Sequence, residues 1–438
     1  MGRRTPRALV IGAFMALVAS CSPGSSGVGA ASRPCAGAFP GCGSAVSSAV
    51  DITKGHWASI PSGPLAPRSG QATAWTGSEM IVWGGLGAPA PAPGATVYAP
   101  PAFSDGAAYD PRTRSWAMLP PSPLAPRSDA AVVWDGQAVI IFGGHGEGSP
   151  TEPYFADGAS YDPSRHLWRM LPRGPLSGRF GATALWTGSQ AVIIGGIGSN
   201  GYGLTDGATY DPTTRHWRLL PKLPRTTSPY GSSGGATASI RPEGIIATWT
   251  GTEVLGWAIY EQRVSGRGAG LLTIAAAEQN LSWTPGSNHW VVHHKPPAGQ
   301  PLVGAAPYWT GTRVLFFGGG PCIPSAPCAP SIPTHIPVSS YDPKTGRWLI
   351  LGGRAVLKGA GSFVWTGKAV IAVNGGSELG TPIAATLAVF DVRRDQWLSV
   401  PTYPYGALYS ASAIWTGSSL LVWGSGGFGS PDYGALLF

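Results

Sequence analysis

The chain has 438 residues, of which 43% are hydrophobic and only 11% are charged, and its formal net charge is +8. A content of 65 glycines and 43 prolines would indicate disorder if it were unpatterned, but 18 tryptophans supply many apolar faces for packing. The basic excess is mild and lacks a clustered Lys/Arg stripe, which argues against a nucleic-acid partner.

The N-terminal segment predicts export. Three arginines precede an apolar run over residues 8–19, which is too short to span a membrane and is followed closely by Cys21. This arrangement resembles a bacterial lipoprotein signal peptide with Cys21 as the lipidated residue, and an ordinary secretory signal is the alternative. We expect a signal peptide over 1–20, a flexible Gly/Ser/Ala-rich tether over 21–55, and an extracytoplasmic protein that contacts the bacterial cell membrane only through its lipid anchor.

A tryptophan followed by a tight turn recurs seven times along the rest of the chain. Six copies are followed by Thr-Gly and one by Asp-Gly, and consecutive copies lie 50 to 63 residues apart. This spacing is typical of one small sheet that is repeated radially. The seven residues are Trp75, Trp134, Trp186, Trp249, Trp309, Trp365 and Trp415.

Most units continue with the same order of signals. In the first unit, the double glycine Gly84-Gly85 ends a second apolar run, a Tyr-Asp-Pro turn starts at Tyr109, and Trp116 stands seven residues later. β-Branched and aromatic residues between these turns predict four short antiparallel strands per unit. The fourth unit, after Trp249, lacks both the double glycine and the Tyr-Asp-Pro.

The pattern over residues 57–438 resembles the kelch repeat. This resemblance implies an all-β, seven-bladed β-propeller with four-stranded antiparallel blades over residues 56–438, similar to the central domain of galactose oxidase. The segment at Trp57 matches a fourth strand without its first three, and the last unit stops after three strands. We therefore expect the N-terminal strand to close the last blade, in a protein that is a monomer.

The four remaining cysteines fall into two close pairs, Cys35 with Cys42 and Cys322 with Cys328. Local disulfides fit an exported protein. Metal binding is the alternative, but spacings of seven and six residues without a histidine inside either loop do not match the usual ligand patterns. We expect two disulfides, no metal site and no cofactor.

Loop lengths indicate which face binds. The connections from second to third strand and from fourth to first strand vary in length and share one face, called here the long-loop face. Seven residues before the tryptophan of four first strands stand Arg68, Arg127, Arg179 and Lys358. These cations predict either a partial ring at the mouth of the central channel, suited to an anionic ligand, or structural pairing between blades.

Two other sets of residues belong to the long-loop face. His145 and Glu147, in a glycine-rich loop of the second blade, are candidates for an acid/base pair, with solvated loop residues as the alternative. Asp105, Asp157 and Asp206 recur four residues before a Tyr-Asp-Pro, where loop-closing hydrogen bonds explain them better than a calcium site.

Two functions fit these features. The first is a cell-surface-tethered binding or scaffold module that holds a carbohydrate or an extracellular protein, and it requires no catalytic group. The second, implied by the kelch resemblance, is an enzyme acting on sugars, similar to a sialic-acid epimerase or to galactose oxidase. A copper oxidase of that kind needs a tyrosine, histidine and tyrosine-bound cysteine near the channel, and every cysteine here other than Cys21 has a local partner. The sequence therefore favours the binding module and selects no catalytic residue.

Overall fold

The computed structural model describes residues 54–87, 100–146, 153–224, 237–265, 272–293, 302, 305–318, 336–355, 361–374, 386–405, 409–425 and 432–438. All helices and strands assigned in these ranges are β-strands. Within the same ranges, no helix is long and apolar enough to cross a membrane. Several predicted features lie outside the described residues, namely Cys21, the pairs Cys35/Cys42 and Cys322/Cys328, Glu147 and Lys358.

The strands of the first half of the chain are, in order, β1 (Trp57–Ser59), β2 (Ala72–Trp75), β3 (Met80–Trp83), β4 (Gly106–Asp110), β5 (Ser115–Met118), β6 (Ala131–Trp134), β7 (Val139–Phe142), β8 (Gly158–Asp162), β9 (Leu167–Met170), β10 (Arg179–Phe180), β11 (Thr183–Trp186), β12 (Ala191–Ile194), β13 (Ile197–Gly198), β14 (Gly207–Asp211) and β15 (His216–Leu219). Those of the second half are β16 (Thr237–Trp249), β17 (Val254–Ser265), β18 (Leu272–Trp283), β19 (Val291–Val292), β20 (Ala306–Trp309), β21 (Val314–Phe317), β22 (Ile336–Asp342), β23 (Arg347–Ala355), β24 (Gly361–Trp365), β25 (Ala369–Asn374), β26 (Thr386–Asp391), β27 (Gln396–Ser399), β28 (Tyr409–Trp415), β29 (Leu420–Ser425) and β30 (Asp432–Leu437).

Seven four-stranded antiparallel sheets form the blades, and the short strands β10 and β13 make an additional two-stranded sheet. The predicted all-β, seven-bladed propeller is therefore confirmed. First strands of neighbouring blades contact one another, as β2 does with β6 and β28, so these strands surround the central axis. The fourth blade departs from the others because three of its strands are 12 or 13 residues long, whereas its outer strand β19 has two.

The two ends of the chain close the ring in the last blade. Strand β1 pairs antiparallel with β30, with Trp57 opposite Leu437, and completes the sheet β1-β30-β29-β28. Trp57 also donates from Nε1 to the Pro401 carbonyl at 3.0 Å and meets the Tyr403 ring edge-on at 5.0 Å. The predicted closure by the N-terminal strand is confirmed.

Apolar residues of the strands pack between neighbouring blades. Every residue of β3, β7 and β12 is buried, because both faces of a second strand lie against another blade. Between the first two blades, for example, Ile81 and Trp83 pack with Val132 and Ile141. Burial of one such large side chain stabilises the fold by roughly 1.5–3 kcal/mol, so the stability is distributed over seven interfaces.

Turn residues explain the regular spacing of the repeat. Thr76 Oγ1 accepts a hydrogen bond from the Glu79 amide at 3.0 Å, across a turn in which Gly77 has a φ of 98°. Asp110 Oδ1 accepts from the Arg112 amide at 2.7 Å in the turn between third and fourth strands. Thr-Gly and Asp-Pro therefore recur because they close these turns.

Candidate functional site

The long-loop face is organised by arginines that precede the first strands, and Arg127 shows the arrangement. Its Nη1 donates to Asp157 Oδ1 at 2.7 Å and to the Gly143 carbonyl at 3.0 Å. Its Nε donates to the Ala125 carbonyl at 2.9 Å, and the guanidinium lies 3.8 Å from the centre of the Phe155 ring. One side chain thus joins the loop before the first strand to the loop between second and third strands.

The backbone at the same residue links two blades. The Arg127 carbonyl accepts from the Gly85 amide at 2.8 Å, and its amide donates to the Phe103 carbonyl at 3.0 Å. A Cβ added to Gly84 would stand 2.8 Å from that Arg127 carbonyl oxygen, at a φ of 69°. The double glycine is therefore required by the close approach of the next blade.

The guanidinium groups point inward and the aspartates outward. All three arginine side chains are 0% exposed, whereas their carboxylate partners are 43–53% exposed. Burial lowers the pKa of Arg127, and its hydrogen bond to Asp157 opposes that shift. This geometry favours a structural role for the three arginines, but their side chains pair within a blade and not between blades as the structural alternative predicted. The aspartates have the loop-closing contacts that the sequence predicted. The pairs are Arg68–Asp105, Arg127–Asp157 and Arg179–Asp206, with shortest nitrogen–oxygen distances of 2.8, 2.7 and 3.0 Å.

A second polar cluster lies beside Arg127, in the second blade. His145 Nδ1 lies 3.3 Å from Ser128 Oγ and 3.6 Å from Asp129 Oδ2, and Ser128 Oγ donates to Asp129 Oδ2 at 2.9 Å. The imidazole packs on the Phe180 ring, with the centres 4.5 Å apart. The side chain of His145 is 7% exposed and that of Asp129 is 16% exposed. His145 is therefore a buried imidazole beside a carboxylate, in contrast to the solvated loop residue of the alternative interpretation.

Asp129 belongs to an inner ring at the mouth of the channel. Its amide donates to the Gly70 carbonyl at 2.7 Å, and its carbonyl accepts from the Gly181 amide at 2.8 Å. These three residues stand two positions before the first strands of consecutive blades, and their φ values are 52°, 64° and 63°. A side chain in this left-handed region costs about 1–2 kcal/mol, which glycine avoids.

The second blade thus differs from its neighbours at two coupled positions. His145 forms an antiparallel bridge with Ser128, and in the first and third blades an aliphatic residue makes the corresponding bridge. In the second blade, the Asp129 carboxylate and the His145 imidazole therefore stand where the neighbouring blades have glycine and an aliphatic residue. The corresponding pairs are Gly70 with Leu86 and Gly181 with Ile197.

Comparison with known proteins agrees with this architecture. Residues 43–246, slightly less than half of the chain, match the family model described as the KLHDC2/KLHL20/DRC7 Kelch-repeats domain. The first three blades of the propeller lie within this kelch-repeat match. A solved structure described as a fungal alcohol oxidase of the AA5 family, in complex with copper, is similar to this propeller with a TM-score of 0.57 at 13% identity, covering 87% of this chain and 76% of that chain. At this identity the likeness shows the fold alone, and no curated protein matches the sequence.

The propeller does not offer an evident copper site in its described part. Nowhere in those ranges do three His, Cys, Asp or Glu side chains come together in a way that could hold a metal ion. The imidazole of His145 has a carboxylate and a hydroxyl as neighbours, which suits proton exchange and hydrogen bonding more than metal ligation.

Sequence reasoning identified His145 but paired it with Glu147 and overlooked Ser128 and Asp129. A signal for Asp129 was present in the alignment of the repeats. Ser69-Gly70 in the first blade corresponds to Ser128-Asp129 in the second, so an aspartate occupies a glycine position. The close approach of residues that are 16 positions apart in sequence is, however, a property of the folded loops.

Proposed function

We propose that this kelch propeller is a monomeric binding module that holds a carbohydrate or an extracellular protein at its long-loop face, around Asp129 and His145. The observation that carries the proposal is the replacement of glycine and an aliphatic residue by this pair at the channel mouth. The left-handed φ of Asp129 works against the fold, and a strained polar residue retained at a rigid scaffold's mouth is typical of a ligand site.

Carboxylate, imidazole and aromatic groups together suit a hydroxyl-rich ligand. The partly exposed Asp129 carboxylate can accept hydrogen bonds from hydroxyl or amide groups of a ligand. Phe180 and Tyr154 surround the imidazole, at centre distances of 4.5 and 6.4 Å, and supply apolar surface beside it. The buried arginines, through their bonds to the aspartates, hold the surrounding loops in place, so little ordering is needed when a ligand binds.

A glycan array probed with the full chain, followed by calorimetric titration of each hit, tests the proposal. Two substitutions copy the residues of the first blade, Asp129→Gly and His145→Leu, and both should leave the fold intact. Each should weaken binding by about ten-fold or more, because a charged hydrogen bond contributes roughly 1.5–3 kcal/mol. Binding that is unchanged in both variants would refute the assignment of the site, and a blank array with the parent chain would refute a carbohydrate ligand.

A sugar-acting enzyme is the second candidate, and the contact between His145 and Asp129 is the observation that favours it. An imidazole oriented by a carboxylate can accept a proton and return it, which is the chemistry that an epimerase requires. Incubating the chain with each array hit and following the sugar by proton NMR separates the two candidates. Conversion by the parent chain that disappears in His145→Gln would establish catalysis, whereas stable binding without conversion supports the module.

We also propose that Cys21 tethers the propeller to the cell surface. The support is the basic and apolar segment that precedes Cys21 in the sequence. Metabolic labelling with a fatty acid tests this, because Cys21→Ala should abolish the label. A mature parent protein with an unmodified N-terminus would contradict the proposal.

A further inference from the structure

A second candidate binding site lies on the short-turn side of the propeller, between the third and fourth blades. A cavity of about 350 Å³ opens there, within the size range of small-molecule sites. Its walls come from the first turn and the outer strands of the third blade and from the turn before β19 in the fourth. The residues that line it include Gln190, Thr209, Arg218, Trp283, Ser287 and Asn288.

Two other blade boundaries are bridged by an arginine at the corresponding place. Arg114 donates from Nη2 to the Ser59 carbonyl at 2.7 Å, across the boundary of the last and first blades. Arg215 donates in the same way to the Met170 carbonyl at 3.0 Å, across the boundary of the second and third blades. The position of both arginines, five residues after the aromatic of the third strand, is occupied by Asn288 in the fourth blade.

The fifth and sixth blades use a different bridge. Arg313, in the first turn of the fifth blade, forms an ion pair with Asp395 in the sixth. The counterparts of these two residues at the boundary of the third and fourth blades are Gln190 and Asn288. Within the described residues, neither amide makes a hydrogen bond across that boundary. The cavity therefore lies at a boundary where two short neutral side chains replace the groups that bridge three other boundaries.

The lining has one charge. Among the described residues that line the cavity, Arg218 alone is ionisable. It is exposed, and its guanidinium has no hydrogen bond or ion pair with any residue that the structure describes. Thr209 lies directly opposite Arg218 in the sheet, so both side chains project from the same face. The amides of Gln190 and Asn288 add hydrogen-bond donors and acceptors around this cation.

We propose that this cavity binds a monosaccharide-sized ligand that carries one acidic group. The acidic group meets the guanidinium of Arg218, and hydroxyl groups of the ligand meet the Gln190 and Asn288 amides. The carbon skeleton lies against the exposed ring of Pro285, which also lines the cavity. Guanidinium recognises a carboxylate by paired, charge-assisted hydrogen bonds, which makes a uronic acid a suitable probe. This site is independent of the function proposed for the long-loop face.

Calorimetric titration of the full chain with D-glucuronate, D-glucose and inorganic phosphate tests the site. Glucuronate should bind, and Arg218→Gln should weaken its binding by about ten-fold or more. Arg169→Gln is the matched control, because Arg169 occupies the same outer-strand position in the second blade and should leave binding unchanged. The double variant Gln190→Arg/Asn288→Asp installs the Arg313–Asp395 type of bridge without changing the net charge and should abolish binding without lowering the melting temperature.

Several results would overturn the proposal. These are an absence of glucuronate binding, equal affinity for glucose or phosphate, or equal weakening by the Arg169 and Arg218 substitutions. The Asp129→Gly variant distinguishes this site from the long-loop face. It should still bind glucuronate at the cavity, even where it no longer binds the glycans found on the array. Loss of binding in Asp129→Gly would show that the ligand occupies the long-loop face instead.

Discussion

Replacing Arg127 by methionine should unfold the propeller more readily while preserving ligand binding. The substitution keeps an apolar stem of similar length but removes the guanidinium. The buried Gly143 carbonyl then loses its donor, which costs about 1–3 kcal/mol, and the contact with the Phe155 ring contributes about 1–2 kcal/mol more. The ion pair itself adds little, since Asp157 is 45% exposed and largely solvated.

We therefore expect the free energy of unfolding to fall by about 2–5 kcal/mol, which is the sum of these two contributions. Asp157→Asn should cost less, about 1–2 kcal/mol, because the amide oxygen still accepts from the buried guanidinium. Urea denaturation followed by tryptophan fluorescence gives both values, and the double variant Arg127→Met/Asp157→Asn should be close to Arg127→Met alone.

Two outcomes would refute this reasoning. If Arg127→Met lowers the free energy of unfolding by less than about 1 kcal/mol, the contacts of the Arg127 side chain do not stabilise the propeller. An unchanged stability together with weaker binding of acidic sugars would instead restore the ring of cations as a ligand site. Arg68→Met and Arg179→Met provide replicates, because both arginines make the equivalent bonds in their own blades.

Three other predictions concern the scaffold. Trp57→Ala should lower the melting temperature markedly and promote aggregation, because it weakens the strand that closes the ring. Light scattering during heating measures both effects, and an unchanged melting curve would contradict closure by β1. Gly84→Ala should destabilise the propeller by more than about 1 kcal/mol in urea denaturation, because the added Cβ meets the backbone of the next blade. Gly136→Ala is the control: its Cβ would lie in open space, so it should cost only the strain of a positive φ. The Ser164 hydroxyl, followed by other hydrogen bonds, holds the pKa of Asp162 below its ordinary value of 3.8. The ionised form of Asp162 therefore stabilises the fold above that pH. Asp162→Asn should reduce stability at pH 7 but not once the pH has fallen below the folded-state pKa. Thermal melts across pH 2–7 test this.

Local chemistry explains why the sequence alone could determine the architecture. Thr-Gly and Asp-Pro close turns through bonds between residues that are close in the chain, such as Thr76 with Glu79, so the pattern reports the turns directly. Repetition of these signals in seven units then determines the blade count, and the unmatched strand at Trp57 indicates how the ring closes. Each of these features depends on sequence neighbours or on simple counting.

The sites depended on contacts that sequence distance conceals. The arginines at one repeat position could be ligand residues or structural ones, and only the folded loops show that Arg127 turns inward to Asp157, 30 residues away. Likewise, His145 finds its carboxylate in Asp129, while the cavity at Arg218 arises because Asn288 of another blade is too short to bridge the boundary. The direction of a side chain at a loop is set by the packing of the blades around it, and a single sequence records the residue but not that packing.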